Sequence, residues 1–143
     1  MGKKRIVKTD EVKEEGVAKQ ATTASSKKKV EYGILNVQST YNNTKLLLTD
    51  AKGNALCWSS SGSLGFKGAK KGTPFAAAKI GEVLAEKAAL LGMKEISVVV
   101  NGVGAGRESS IRAFVSKGIT INTIKDVTPV PHNGPKPPKP RRV

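Results

Sequence analysis

Residues 73–107 read TPFAAAKIGEVLAEKAALLGMKEISVVVNGVGAGR. The order within this stretch decides the fold class: a capped helix, a glycine, an apolar strand, a glycine loop. Thr73 can accept a hydrogen bond from a first-turn amide, and Pro74 suits the first helical position, where no amide donor is needed. Ala76, Ile80, Val83, Leu84 and Leu91 then fall on one helical stripe, with Lys79, Glu82 and Glu86 off it. Gly92 is a natural stop. Ile96 to Val100 is a nearly continuous apolar run, which predicts a strand covered on both faces. Gly102 to Arg107 forms a tight loop. Downstream, Glu108 to Lys117 predicts a short helix with Ile111, Phe114 and Val115 inward, ended by Gly118. Ile119, Ile121 and Ile124 then alternate, with one slip in period, as a last strand.

Upstream of the quoted stretch the signals are of β type. Gly33 to Ser39 alternates loosely, and Thr44 to Thr49 is rich in Leu and Thr. Asp50 to Asn54 is a turn in which Gly53 suits positive φ, and Ala55 to Ser60 returns as a third strand. Cys57 and Trp58 are neighbours on that strand and so face opposite sides, one of them toward the core. Three short strands with tight connections predict an antiparallel meander. The later strands alternate with helices, so the order βββαβαβ predicts a mixed sheet with a parallel portion.

Composition bounds the function. The chain has 143 residues and a formal charge of +14, from 25 Lys and Arg against 11 Asp and Glu. Such an excess suits a polyanionic partner, because each phosphate neutralised releases counterions. Cys57 and His132 are the only residues of their kinds. An intrachain disulfide and a cysteine-rich zinc site are therefore excluded, and a Ser/His or Cys/His relay would have to use His132. No apolar run approaches the roughly 20 residues of a membrane span, and no secretory or organellar leader is recognisable. A reducing cytoplasm is the expected location.

The chain divides into three. Residues 1–29 carry nine Lys and Arg, four Asp and Glu and no apolar period, which predicts a disordered basic tail. Residues 30–128 predict one α/β domain. Residues 129–143 hold six of the seven prolines and four Lys and Arg, which predicts an extended basic arm.

Several loops carry candidate chemistry. The segment Asn101 to Arg107 places glycines between strand and helix, where backbone approaches an anion easily and first-turn amides favour phosphate. It lacks the third glycine of a dinucleotide fingerprint, since Ser109 stands there. Arg107 adds a planar fork for phosphate or a guanine edge. The loop Ser61 to Gly72 lacks the Gly-Lys-Ser/Thr close of a P-loop but is rich in glycine and lysine: Lys67, Lys70 and Lys71 suit phosphates, and Phe66 suits an anchor more than a stacking platform. Tyr41-Asn42-Asn43-Thr44 serves equally as a plain turn and as a set of donors and acceptors for RNA, with Lys45 beside it. No acidic residues form a local metal motif, and neither a metal nor a cofactor is expected. Asn133-Gly134 is a sequence in which the asparagine side chain can cyclise onto the backbone, so isoaspartate is expected at position 133.

Together these motifs resemble a known family. Tyr41-Asn42-Asn43-Thr44, Asp50 with Gly53-Asn54, and Trp58-Ser59-Ser60 follow its first half. Gly65-Phe66-Lys67-Gly68 with Thr73-Pro74-Phe75-Ala76-Ala77 is highly specific. Gly92-Met93-Lys94, Gly104-Ala105-Gly106-Arg107-Glu108-Ser109, Ile111-Arg112-Ala113, and Asp126-Val127-Thr128-Pro129 through His132-Asn133-Gly134 complete it. The chain is similar to the S-eleven family of bacterial small-subunit ribosomal proteins, in consistent order from about residue 30 onward. The resemblance implies an RNase H-like α/β fold without nuclease chemistry, and a structural, non-enzymatic role in the ribosome. It implies binding to small-subunit ribosomal RNA on the platform, near the messenger exit and Shine–Dalgarno region. The platform proteins numbered seven and eighteen become expected partners, with messenger RNA nearby and no small-molecule substrate.

The expected RNA-binding residues are Asn42, Asn43, Lys45, Lys67, Lys70, Lys71, Gly104, Gly106, Arg107 and Arg112, with His132, Asn133, Lys136, Lys139, Arg141 and Arg142 of the arm. The chain departs from the family pattern at Asn101 and Val103, where Lys and Pro are usual, and at Pro135, Lys136 and Pro140, where Cys, Arg and Arg are usual. Lys136 keeps the charge and loses the bidentate fork. The residues alone also admit a nucleic-acid enzyme needing clustered carboxylates, and a general RNA chaperone with a steep salt dependence.

Overall fold

The structure, a computed structural model, describes residues 29–140 and 142. The tail expected over residues 1–29 lies outside them except for Lys29, and so does Arg141. The elements are β1 (Tyr32–Ser39), β2 (Thr44–Asp50), β3 (Ala55–Ser60), a 3-10 turn (Gly68–Gly72), α1 (Pro74–Leu90), β4 (Glu95–Gly102), α2 (Gly106–Val115) and β5 (Thr120–Asp126). Thr73 caps α1 by accepting from the Ala76 amide at 3.3 Å, and Pro74 opens the helix. Gly92, at φ +79°, ends it, a conformation that only glycine adopts cheaply.

The sheet order is β3-β2-β1-β4-β5. β1–β2 and β2–β3 are antiparallel, while β1–β4 and β4–β5 are parallel. The meander, the mixed sheet and the parallel portion follow the sequence reading. The slip in the last strand is real: Ile96 pairs with Ile121 and Ser97 with Thr123, so the ladder steps past Asn122.

Both crossovers, β3 to β4 through α1 and β4 to β5 through α2, step the same way across the sheet. Right-handed connections then lay both helices on one face. That face holds the core. Leu35, Val37, Leu46, Leu48, Ile96, Val98 and Val100 meet Ile80, Leu84, Ala85, Ala88 and Phe114. The opposite face has no layer over it among the described residues. The expectation that Ile96 to Val100 is covered on both faces is thereby corrected. Ile96, Val98 and Val100 are buried under the helices, while Ser97 and Val99 are only half-buried on the open side. The apolar run reflects a strand interior to the sheet, between β1 and β5, whose open-side residues are shielded by their neighbours.

Two helix readings also change. The buried stripe of α1 runs through Ala77, Gly81, Ala85 and Ala88 beside Ile80 and Leu84, and Val83 and Leu91 are half-buried. Helix α2 starts earlier than expected and buries Gly106, Ser110 and Phe114, which leaves Val115 at its end 40% exposed. The reason is close helix–helix approach. A methyl group on Gly81 would stand 2.5 Å from the Ser110 carbonyl oxygen, so small residues occupy the contact in place of large apolar ones.

Candidate RNA-binding interface

Strands β1, β3, β4 and β5 all end at the same edge of the sheet, where β2 begins. Four connections therefore gather there: Thr40–Asn43, Ser61–Thr73, Val103–Ala105, and the chain after Asp126. In open α/β sheets this carboxyl end is where ligands collect.

The loops at this end are tied to one another by backbone and small polar side chains. Ser61 Oγ donates to Asn43 Oδ1 at 2.5 Å and accepts from the Thr44 amide at 3.2 Å. Thr40 Oγ1 donates to the Asn43 carbonyl at 3.1 Å. Asn43, expected to face RNA, is thus half-buried and engaged in closing its own loop, whereas Asn42 is exposed and Tyr41 is 82% exposed at the tip. The glycines of the Gly102–Gly106 loop serve the same closure. A methyl group would stand 2.0 Å from the Ser39 carbonyl oxygen at Gly102, 2.2 Å from that of Thr40 at Gly104, and 2.3 Å from Thr44 Oγ1 at Gly106. Gly104 and Gly106 are buried. Their lack of side chains lets this loop press on the β1–β2 connection.

Arg107 is likewise committed. One guanidinium nitrogen donates to the Gly102 carbonyl at 2.6 Å and another pairs with the Asp126 carboxylate. Asp126 also accepts from the Thr128 amide at 2.9 Å and from Thr128 Oγ1 at 2.6 Å. Thr128 Oγ1 in turn accepts from the Gly102 amide at 3.1 Å. These bonds pin the start of the arm onto the glycine loop. The Thr128 hydrogen bonds, and then the Arg107 guanidinium, hold the Asp126 carboxyl down at about 2.

A depressed carboxylate contributes stability above its unfolded value, near 3.9, and loses that contribution as pH falls through its folded value. Replacement of Asp126 by Asn should therefore lower the thermal midpoint at pH 6, with the difference closing as the pH approaches 2. A constant difference across that range in paired melting curves would mean that the carboxylate's charge is irrelevant.

The basic loop keeps its cations outward. Phe66 is half-buried and packs edge-on against Phe75, with ring centroids 6.2 Å apart, as the anchor reading requires. Lys67 and Lys70 are exposed and Lys71 is half-exposed. Lys45 is exposed at the start of β2. Past Thr128 the arm has neither helix nor strand, and His132, Asn133, Lys136, Lys139 and Arg142 are all exposed. Asn133 sits at φ 55°, a left-handed turn position that asparagine tolerates.

Arg112 is the exception. It lies well along α2, away from the loops, 85% exposed with Glu108 Oε2 at 3.7 Å, and it lines two shallow cavities beside α2 of about 380 and 330 Å³. The carboxylates near the loop end are Asp126, which is paired, and Glu108, so cations dominate this end among the described residues.

The choice between Cys57 and Trp58 is also decided. Cys57 sits opposite Leu48 on the helix side, where burial pushes its thiol up and Lys87 only partly offsets this. Trp58 sits opposite Leu47 on the open side and is 62% exposed. Trp58 and Lys125 are exposed on the open face and lie outside the residues the sequence points to for RNA. The register of the apolar Leu46 to Leu48 run is the signal that would have placed Trp58.

What this end of the sheet can do is hold phosphates on outward lysines while a network of short bonds fixes the loops that carry them. Residues 33–142 match the family model described as ribosomal protein S11. That family is one of structural, non-enzymatic proteins that bind small-subunit ribosomal RNA and other ribosomal proteins in translation. The chain belongs to the ribosomal protein S11 family.

Proposed function

We propose that the loop end of the sheet is the RNA face of this protein, and that it braces the platform of the small subunit near the messenger exit and Shine–Dalgarno region. The gathering of the outward lysines and the extended arm at one rigid end supports this reading most. Asn42, Lys45, Lys67, Lys70, Lys71, His132, Lys136, Lys139, Arg141 and Arg142 would contact RNA. Asn43, Gly104, Gly106 and Arg107 would position them. Arg112, standing apart on α2, would meet a second stretch of RNA or the edge of a neighbour.

The strand order and the two helices on one face agree with an RNase H-like sheet. Its central strand, Tyr32–Ser39, carries no carboxylate for nuclease chemistry. Residues 30–128 would act as the rigid domain, with 1–29 and 129–143 as segments that order on RNA in the cytoplasmic ribosome. Platform proteins seven and eighteen and passing messenger RNA are the proposed neighbours.

Sedimentation of the tagged protein, with crosslinked RNA sequenced from the fraction that survives a high-salt wash, tests this. Crosslinks confined to one platform region are expected; protein at the top of the gradient or crosslinks scattered over many RNAs would overturn the proposal. Isoaspartate is proposed at Asn133, where the following glycine leaves the cyclising backbone unhindered. A peptide map showing only unmodified asparagine would remove that idea.

A further inference from the structure

The open face of the sheet, over which no layer lies among the described residues, carries an unusual combination of side chains. Register places Trp58, Leu47, Asn36, Val99 and Lys125 in one row across β3, β2, β1, β4 and β5. The next row toward the loop end is Ser60, Lys45, Gln38 and Asn101. Lys45 and Trp58 are diagonal neighbours on this face. Trp58 is 62% exposed on this face, while its neighbour Cys57 packs against the core. Gln38, Thr40, Asn43 and Lys45 line a cavity of about 150 Å³ at the junction between this face and the loop end. Every residue lining it offers a hydrogen-bonding group. Lys45 and Lys125 are exposed and unpaired among the described residues, and the acidic residue on this face, Glu95, lies at the opposite end of β4.

We infer that this face is a stacking platform for single-stranded RNA. One base would lie on the Trp58 indole and the adjoining nucleotide would occupy the polar cavity, with Lys45 and Lys125 on the backbone phosphates. The inference rests on RNA being the partner of the loop end, which the face adjoins without a break. Three observations favour RNA over a protein segment here. The exposed charges in the two rows nearest the loop end, Lys45 and Lys125, are cationic. Each side chain lining the neighbouring cavity offers a hydrogen-bonding group. The flanking side chains Asn36, Gln38 and Asn101 carry both donors and acceptors, as base edges and the 2′-hydroxyl require. Stacking on an aromatic is sequence-tolerant, because every base has a π-face, so the site selects single strands and not a particular sequence.

Trp58 is the chain's only tryptophan, so its emission reports this site directly. The full-length protein would be titrated with a single-stranded adenylate oligomer, following tryptophan emission and the anisotropy of labelled RNA together. Saturable quenching is expected. The Trp58→Leu variant should bind the oligomer about 10-fold more weakly, with an unchanged melting midpoint. Quenching should be absent with a duplex of equal length.

Unchanged emission with equal affinity of the Leu variant would overturn the platform while leaving the loop-end reading intact. Failure to bind the oligomer at all, with small-subunit RNA still bound, would do the same. A Leu variant that binds RNA normally but fails to enter the subunit would also overturn it, and would assign the face to a protein neighbour. Loss of binding to small-subunit RNA by the unaltered protein would instead sink the loop-end reading itself.

Discussion

Replacing Lys67, Lys70 and Lys71 together with alanine should weaken binding to small-subunit ribosomal RNA about 100-fold at ~0.1 M salt. Each phosphate neutralised contributes roughly 0.7 to 0.9 to the slope of log affinity against log salt, so three lost contacts remove about 2 to 3 from that slope. The side chains leave the fold alone: they point outward from a loop held by Phe66 against Phe75 and by the Ser61–Asn43–Thr44 bonds. The free variant should therefore melt as the unaltered protein does. Filter binding across a salt series separates the outcomes. A shallower slope identifies these lysines as phosphate contacts, whereas parallel lines of equal slope would make them a solvated charge run.

Gly104→Val should cost about 3 kcal/mol of folding stability, the upper end for an overpacked site. The new Cβ would stand 2.2 Å from the Thr40 carbonyl oxygen and 2.4 Å from Ser39 Oγ, and the first of these is backbone that cannot swing aside. The Gly104 amide also donates to the Ser39 carbonyl at 3.1 Å, so retreat of the loop would break a bond. RNA affinity should fall as a consequence of the displaced loop. A urea midpoint that does not move, with RNA affinity alone reduced, would mean that this glycine is open for close approach of a phosphate.

That distinction shows where sequence was informative and where it was not. Thr73-Pro74 and Gly92 delimit α1 through local chemistry, so its span was legible from residue types alone. So was the sheet's mixed character, because a meander followed by alternating helix and strand leaves few topologies. The bulge at Asn122 was visible as a broken period. The covering of β4 was not, since an apolar run reads the same whether helices lie on one side or both, and the outcome depends on crossover handedness. Nor was the phase of α2, where the close approach of Gly81 to Ser110 beside the buried Phe114 turns Val115 outward.

In the site, the lysines and the arm were recognisable because charge stays at the surface wherever the chain goes. Arg107, Asn43 and the loop glycines, expected to face RNA, make contacts with their own chain that residue types alone did not foretell. Their partners, Asp126, Ser61, Ser39 and Thr40, are brought to them only by the closed sheet. Trp58 needed the strand register before its exposure could be known.

The central claim is that RNA meets the loop end of the sheet and not the opposite end. Directed hydroxyl-radical cleavage decides it most directly, with an iron chelate tethered at single cysteines in a Cys57→Ser background. One probe is placed at Lys70 in the basic loop, the other at Lys94, exposed at the far end between α1 and β4. In assembled subunits, strong cleavage of small-subunit RNA over one compact region is expected from position 70 and little from position 94. Equal cleavage from both, or cleavage mainly from position 94, would contradict the assignment of the RNA face.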